Sequence, residues 1–227
     1  MLHHSWDISP RRAIALQREL AGLVRQEPIG RPVHTIAGAD CAFEGTFRTA
    51  GKVLAAAVLC DARTMKVIAT SEAVLPCTFP YVPGLLSFRE APAIIEAVSK
   101  LPTRPDLLMI DGQGLAHPRG MGIASHVGLW LDIPTIGAAK SRLCGRHRTP
   151  GPRRGSRCQL RLEDPAGEKK VIGAVLRTRD NVNPMYISVG HRITLAQAIY
   201  WTLRCAINAR LPEPTRRAHQ YVTRMKG

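Results

Sequence analysis

Two aspartates far apart in the chain, Asp40 and Asp111, are the residues best placed for chemistry. They belong to Ile36-Ala37-Gly38-Ala39-Asp40-Cys41-Ala42-Phe43 and to Leu107-Leu108-Met109-Ile110-Asp111-Gly112-Gln113-Gly114. Short apolar runs of this kind read as buried strands. Ligands of open α/β sheets bind just beyond the carboxyl ends of such strands. If the second strand lies parallel beside the first, through a right-handed crossover, the two carboxylates end side by side. Without a counter-charge they cannot both ionise comfortably. A hard divalent cation held by oxygen ligands, such as Mg²⁺, removes the conflict, and it polarises a phosphoryl oxygen or activates water. The competing reading is two unrelated strand-end aspartates that cap turns.

Other candidates carry their own alternatives. Glu90, in Ser87-Phe88-Arg89-Glu90, is a further metal-site carboxylate, yet the S-x-x-E spacing equally fits a capping box at a helix start. One side chain cannot do both. Lys140 follows Ile136-Gly137-Ala138-Ala139 on the same sheet edge as Asp111, where an ammonium suits a scissile phosphate; the alternative is a solvated surface lysine. Pro80-Tyr81-Val82-Pro83-Gly84 holds a tyrosine between prolines that fix its backbone. A rigid aromatic beside a basic groove suits wedging into a base stack, whereas a packed tyrosine in a Pro-rich turn is commoner. His117 and His219 complete the set, although a lone helical histidine such as His219 is usually structural or exposed. His191 is read as a helix-start or groove residue with no chemical role.

The elements that must position these groups follow from periodicity and punctuation. Ser9-Pro10 opens a capped helix over Arg11 to Val24. Three β-like runs, His34 to Phe43, Lys52 to Cys60 and Lys66 to Leu75, have short connectors and predict an antiparallel meander. A helix over Ser87–Leu101, the Leu107–Asp111 strand, a helix near Ile123–Leu131 and a short strand at Pro134–Gly137 come next. Residues Gly145 to Gly155 read as a basic, mobile loop. Val171–Thr178 and Met185–Val189 read as strands, Thr194–Arg210 and Pro214–Met225 as helices. The order predicts one α/β domain over 1–227, a mixed sheet with helices on both faces.

The charge narrows the partner. The chain has 227 residues with 32 Lys+Arg against 17 Asp+Glu, a net charge of +15, which favours a polyanion such as nucleic acid. Ten of the basic residues fall between Lys140 and Lys170, opposed only by Glu163, Asp164 and Glu168. The six cysteines are scattered without a C-x-x-C pair, which argues against zinc fingers and iron–sulfur clusters. With no signal-like start and no long apolar run, a cytoplasmic protein without membrane contact is expected.

Taken together, the blocks around Asp40, Phe79–Leu86 with Arg89-Glu90, Asp111–His117, Pro134–Gly137 with Lys140-Ser141, and Glu213–Arg216 with His219 resemble the endonuclease V family, deoxyinosine 3′ endonucleases of DNA repair. The resemblance implies an RNase H-like fold with a central five-stranded sheet in the order 3-2-1-4-5. It implies Mg²⁺, with Mn²⁺ as an alternative, at Asp40 and Asp111, with Glu90 and His219 joining the catalytic cluster and Lys140 beside it. It further implies a wedge of Pro80, Tyr81, Val82 and Pro83, and a hypoxanthine pocket at Gly84, Leu86, Gly112, His117, Gly122 and Ile123. The expected reaction cuts the second phosphodiester 3′ to the lesion, leaving 3′-hydroxyl and 5′-phosphate ends, on a monomer. Inosine-containing RNA is an alternative substrate, and a non-catalytic basic nucleic-acid-binding module is the rival from another class. Two departures stand out: Cys41-Ala42 after Asp40, and an Arg-rich segment, Arg146 to Arg157, longer and more basic than the family pattern.

Overall fold

The computed structural model describes residues 4–45, 51–163 and 167–226. The expected connector after Glu44, the start at Met1–His3 and Asp164 therefore fall wholly or partly outside the described residues. Helix α1 (Pro10–Ala21) starts as its sequence demands: the Ser9 side chain accepts the Arg12 N–H, and proline occupies the first turn. Strands β1 (Thr35–Glu44), β2 (Gly51–Asp61) and β3 (Val67–Cys77) form the antiparallel meander. Helix α2 (Leu86–Ser99) crosses to β4 (Leu107–Ile110), which pairs parallel to β1, and α3 (Ile123–Leu131) leads to β5 (Thr135–Ala139), parallel to β4.

The sheet does not stop at five strands. Strands β6 (Arg157–Glu163), β7 (Lys169–Leu176) and β8 (Met185–His191) extend it, giving the order β3-β2-β1-β4-β5-β8-β7-β6. The 3-2-1-4-5 core is thus present, and the three added strands are antiparallel, β8 pairing directly with β5. Sequence reading misses β6 because its alternation runs through arginines, glutamine and glutamate on the exposed face, with only Leu160 fully buried. Helices α4 (Leu195–Cys205) and α5 (Glu213–Met225) close the chain, α4 ending five residues before the expected Arg210.

Strand alternation sends each residue set to its own layer. Ala37, Ala39, Ala55, Ala57, Leu108 and Ile110 pack under α2 and α3. Ile36, Leu107, Met109, Ile136 and Ile187 face α4, while Leu54, Ala56 and Val58 meet α5. Helices therefore cover both faces, and the small alanines let them approach closely. The closest approach is at Gly38, where a Cβ would fall 2.0 Å from the Pro214 carbonyl carbon. No side chain fits there, so α5 is seated directly on β1, two residues before Asp40 and on the same face.

The 145–155 segment has neither helix nor regular strand, as expected, but it is pinned at several points. Arg146 bridges to Arg161, the Gly155 N–H donates to the Arg177 carbonyl, and the Arg177 guanidinium donates to the carbonyls of Pro150 and Gly151. These contacts tie part of the loop's backbone to β6 and to Arg177, just beyond β7.

Candidate active site and base pocket

The register of β1 and β4 decides the centre of the site. Ala39 pairs with Ile110, and the Asp111 N–H donates to the Ala39 carbonyl at 3.3 Å. Asp40 and Asp111 are thereby neighbours at the carboxyl end of parallel strands. Their parity points them to the α5 face, where the Gly38–Pro214 contact delivers His219 a turn and a half along the helix. His219 Nδ1 lies 2.7 Å from Asp40 Oδ2, and Asp40 Oδ1 accepts the Cys41 N–H at 2.8 Å. Lys140, at the end of β5, forms an ion pair with Asp111 Oδ2. The alternative of an unpaired, solvated lysine is therefore not realised.

Ligand atoms of Asp40, Asp111 and His219 all lie within 4.8 Å of one another. Burial pushes the Asp40 carboxyl above its ordinary value, and the nearby Asp111 charge adds to this, against the opposing hydrogen bond from His219. Two crowded carboxylates and an imidazole form an oxygen-rich donor set for one divalent cation. The electrostatic strain on Asp40 is what such a cation relieves.

Glu90 approaches from the opposite face of the sheet, on α2. Its capping-box alternative is not realised: α2 begins at Leu86 with no side-chain cap, and the Ser87 hydroxyl is instead bonded to His126 Nδ1 at 3.1 Å. The Glu90 carboxyl is left among the acids. Burial, then the Asp40 charge, raises it to about 7, with Arg89 opposing and Asp111 adding. It stands outside the three-residue ligand cluster, so His219 rather than Glu90 completes that set of atoms.

A cavity of about 200 Å³ opens two residues beyond Asp111. Gly84, Leu86, His117, Gly122 and Ile123 line it together with Tyr81, Val82 and Pro83. Gly112 does not; its bare Cα faces Ile123, whose Cγ2 would lie 2.5 Å from an added Cβ. Gly112 therefore lets α3 pack behind the cavity instead of lining it. Sequence reading also missed Gln17, Ser87, Gln113, Met121 and Leu143 in the wall. Gln17 was unreadable because its partners lie 67 and 104 residues away.

The rim of this cavity is preorganised around one carbonyl. Gly84, at φ +78, turns in a conformation that favours glycine. Its oxygen accepts hydrogen bonds from Gln17 Nε2 at 3.0 Å and Arg119 Nη2 at 2.6 Å, with His117 Nε2 at 3.0 Å. Burial, aided by Arg119, holds His117 down at about 4, so the ring is neutral at neutral pH. The Arg119 N–H approaches Nδ1 at 3.2 Å, which leaves Nε2 to donate to Gly84. Next to this rim the Pro80–Pro83 loop is anchored by Phe79, stacked on Phe88 at 5.4 Å, and it holds Tyr81 outward, 60% exposed. His191 is buried at the end of β8 between the Arg25 N–H and Asp132, which explains it as structural.

Paired carboxylates on adjacent parallel strands of a 3-2-1-4-5 sheet, with helices on both faces, define the RNase H-like class. Comparison with known proteins refines this. A model of endonuclease V matches residues 18–220. An endonuclease V of Methanothrix thermoacetophila is 48% identical over 216 residues, covering 95% of this chain and 92% of its own. The crystal structure of endonuclease V from Streptomyces avermitilis superposes with a TM-score of 0.88 at 42% identity, covering 97% of this chain and 94% of that one. A Ciona intestinalis endonuclease V, solved with a 23mer DNA containing an inosine followed by a ribo-adenosine, shares the fold at 21% identity and a TM-score of 0.78, covering 96% of this chain and 98% of that one. The chain belongs to the endonuclease V family.

Proposed function

We propose that the protein is a divalent-metal-dependent deoxyinosine 3′ endonuclease of DNA repair, cutting the second phosphodiester 3′ to the lesion. The observation that carries this reading is the convergence of Asp40, Asp111 and His219 beside a cavity too small for a drug-sized ligand, about 200 Å³ against roughly 300–1,000 Å³ for such sites. One everted base suits that space. Asp40, Asp111 and His219 would hold Mg²⁺ or Mn²⁺, which when bound supplies charge neutralisation and a more acidic water. Lys140 Nζ, paired with Asp111, would offset charge developing on the oxygens of the scissile phosphate. Glu90, with its carboxyl near 7, is poised to take a proton from the attacking water near neutral pH.

Lesion choice starts before any hydrogen bond. Flipping costs a few kcal/mol and less for a weakly paired base such as hypoxanthine. Tyr81 fills the vacated stack, while the backbone fixed around Gly84 and the groups at Leu86, Gly122, Ile123 and His117 receive the base. The protein acts as a single-domain monomer in the cytoplasm. All six cysteines are free, in keeping with a reducing compartment, and among the described residues no helix is long and apolar enough to cross a membrane.

The deciding experiment incubates the full chain with an end-labelled duplex carrying one deoxyinosine, with and without Mg²⁺, and maps the nick. A single Mg²⁺-dependent cut at the second phosphodiester 3′ to the lesion is expected. No cut, or a cut independent of divalent ions, defeats the reading. A parallel inosine-containing RNA reports the sugar preference.

A further inference from the structure

We propose that the groove between residues 145–148 and β6 is a docking channel for phosphates of the nucleic-acid strand that flanks the flipped base. This rests on the nuclease reading above and adds to it a second, sequence-independent contact surface. The groove encloses about 890 Å³, and its described lining brings together Arg146, Arg148, Arg161 and Lys169 against one carboxylate, Glu163.

The backbone is built to crowd these cations. Arg146 and Arg161 face each other across an antiparallel bridge, with N···O distances of 2.7 and 3.0 Å in the two directions. Like charges directly opposite each other on paired strands are destabilising, so the arrangement has an electrostatic cost in the free protein. Gly145 makes the approach sterically feasible: it turns at φ +80, and a Cβ there would lie 2.8 Å from the Arg161 carbonyl oxygen. The Arg161 guanidinium is aimed by Gln159 Oε1, at 2.9 Å from Nε and 2.5 Å from Nη2, which orients the charge without neutralising it. Arg12, Arg25 and Arg31 elsewhere on the surface pair with carboxylates. Among the described residues, none of the four groove cations does. An intervening polyanion supplies the missing counter-charge.

Position and chemistry then select the partner. Lys140 pairs with Asp111, Leu143 lines the base cavity and Gly145 begins the groove. The six residue steps from Lys140 to Arg146 span at most about 22 Å, or about six nucleotide steps at about 3.4 Å each. One continuous strand can therefore occupy the active site and the groove. The ring in the groove wall, His147, is engaged edge-on with Tyr186, centroids 5.5 Å apart at 68°. Without a free stacking platform among its described lining, the channel contacts phosphates, which position a strand and carry no sequence information. The bland alternative is that β6, the last strand of the sheet, is charged only to block edge-to-edge pairing.

The test measures binding of fluorescein-labelled 30-base-pair duplexes, with and without one deoxyinosine, across a salt series. Wild type is compared with Arg146→Ala, Arg148→Ala, the double variant and Arg148→Lys, each checked for an unchanged thermal midpoint. Each arginine lost should reduce the slope of log affinity against log salt by about 0.9. Affinity should fall by the same factor on both duplexes, with kcat on saturating deoxyinosine duplex unchanged and the slope restored in Arg148→Lys. Trimming the duplex to three base pairs on each side of the lesion should abolish the difference between wild type and the double variant. An unchanged slope in the double variant overturns the channel and leaves the edge-protection account. A loss confined to the deoxyinosine duplex also overturns it, because that is base reading. If wild type cuts no deoxyinosine duplex, the nuclease reading fails, yet the salt slopes still decide the channel.

Discussion

Replacing Glu90 by glutamine isolates the electrostatic cost of assembling acids from both faces of one sheet. Burial and the neighbouring Asp40 hold the Glu90 carboxyl at about 7, against an ordinary 4.5. The sign follows from proton counting. Between those values the folded protein binds the proton more tightly than the unfolded chain, so stability present below 4.5 is lost as pH rises through 7. The full difference is worth about 3 kcal/mol at pH 8 and below about 1 kcal/mol at pH 5. The neutral, isosteric Glu90→Gln should recover it. At about 2–4 °C per kcal/mol for a chain of this size, metal-free protein should gain up to about 10 °C in Tm at pH 8 and little at pH 5. Thermal unfolding in a chelator at the two pH values reads this directly. An equal gain at both, or none at pH 8, would refute the claim that Glu90 is strained by burial among like charges. Adding Mg²⁺ should stabilise wild type by mass action and so narrow the gap at pH 8.

Three further outcomes are expected. Asp40→Asn and Asp111→Asn should each lower Mg²⁺-dependent nicking by at least about 10²-fold while duplex affinity, measured by anisotropy, stays within a few-fold; normal nicking by either would remove it from the site. Tyr81→Ala should reduce the kcat/KM preference for deoxyinosine over undamaged duplex by about 5- to 150-fold, the worth of one aromatic–base stack of about 1–3 kcal/mol. An unchanged ratio would dismiss the wedge. Gly38→Ala should destabilise the protein by about 1–3 kcal/mol or more in urea unfolding and depress nicking, because the added methyl overlaps the Pro214 backbone and displaces His219; wild-type stability would show that α5 is not seated on β1 as described.

Much of the molecule was legible in its residues. Ser9-Pro10 marked the start of α1, the apolar run ending at Asp111 marked a central strand, and the meander followed from three short-linked β patterns. Each is a local signal, carried by backbone preferences and alternation over a few neighbouring residues. Asp40 and Asp111 were readable as a pair because a parallel neighbour is the simplest way to place β4 in such a chain. The Arg-rich stretch raised the expectation of a polyanionic partner through its charge.

Other features depended on contacts between residues distant in sequence. Whether Glu90 capped its helix or joined the acids was undecidable from S-x-x-E; the fold settled it by starting α2 at Leu86 and giving Ser87 to His126. The choice of His219 over Glu90 in the tight ligand cluster rests on Gly38 admitting α5 against β1, across 176 positions of chain from Gly38 to Pro214. Gly112 could be read as glycine near a ligand, but only packing shows that Ile123 fills its space. Strand β6, polar on its exposed side, became a strand because β7 pairs with it and the 145–148 loop bridges to it. Local sequence fixes which conformations are cheap, whereas burial and pairing between distant segments choose among them.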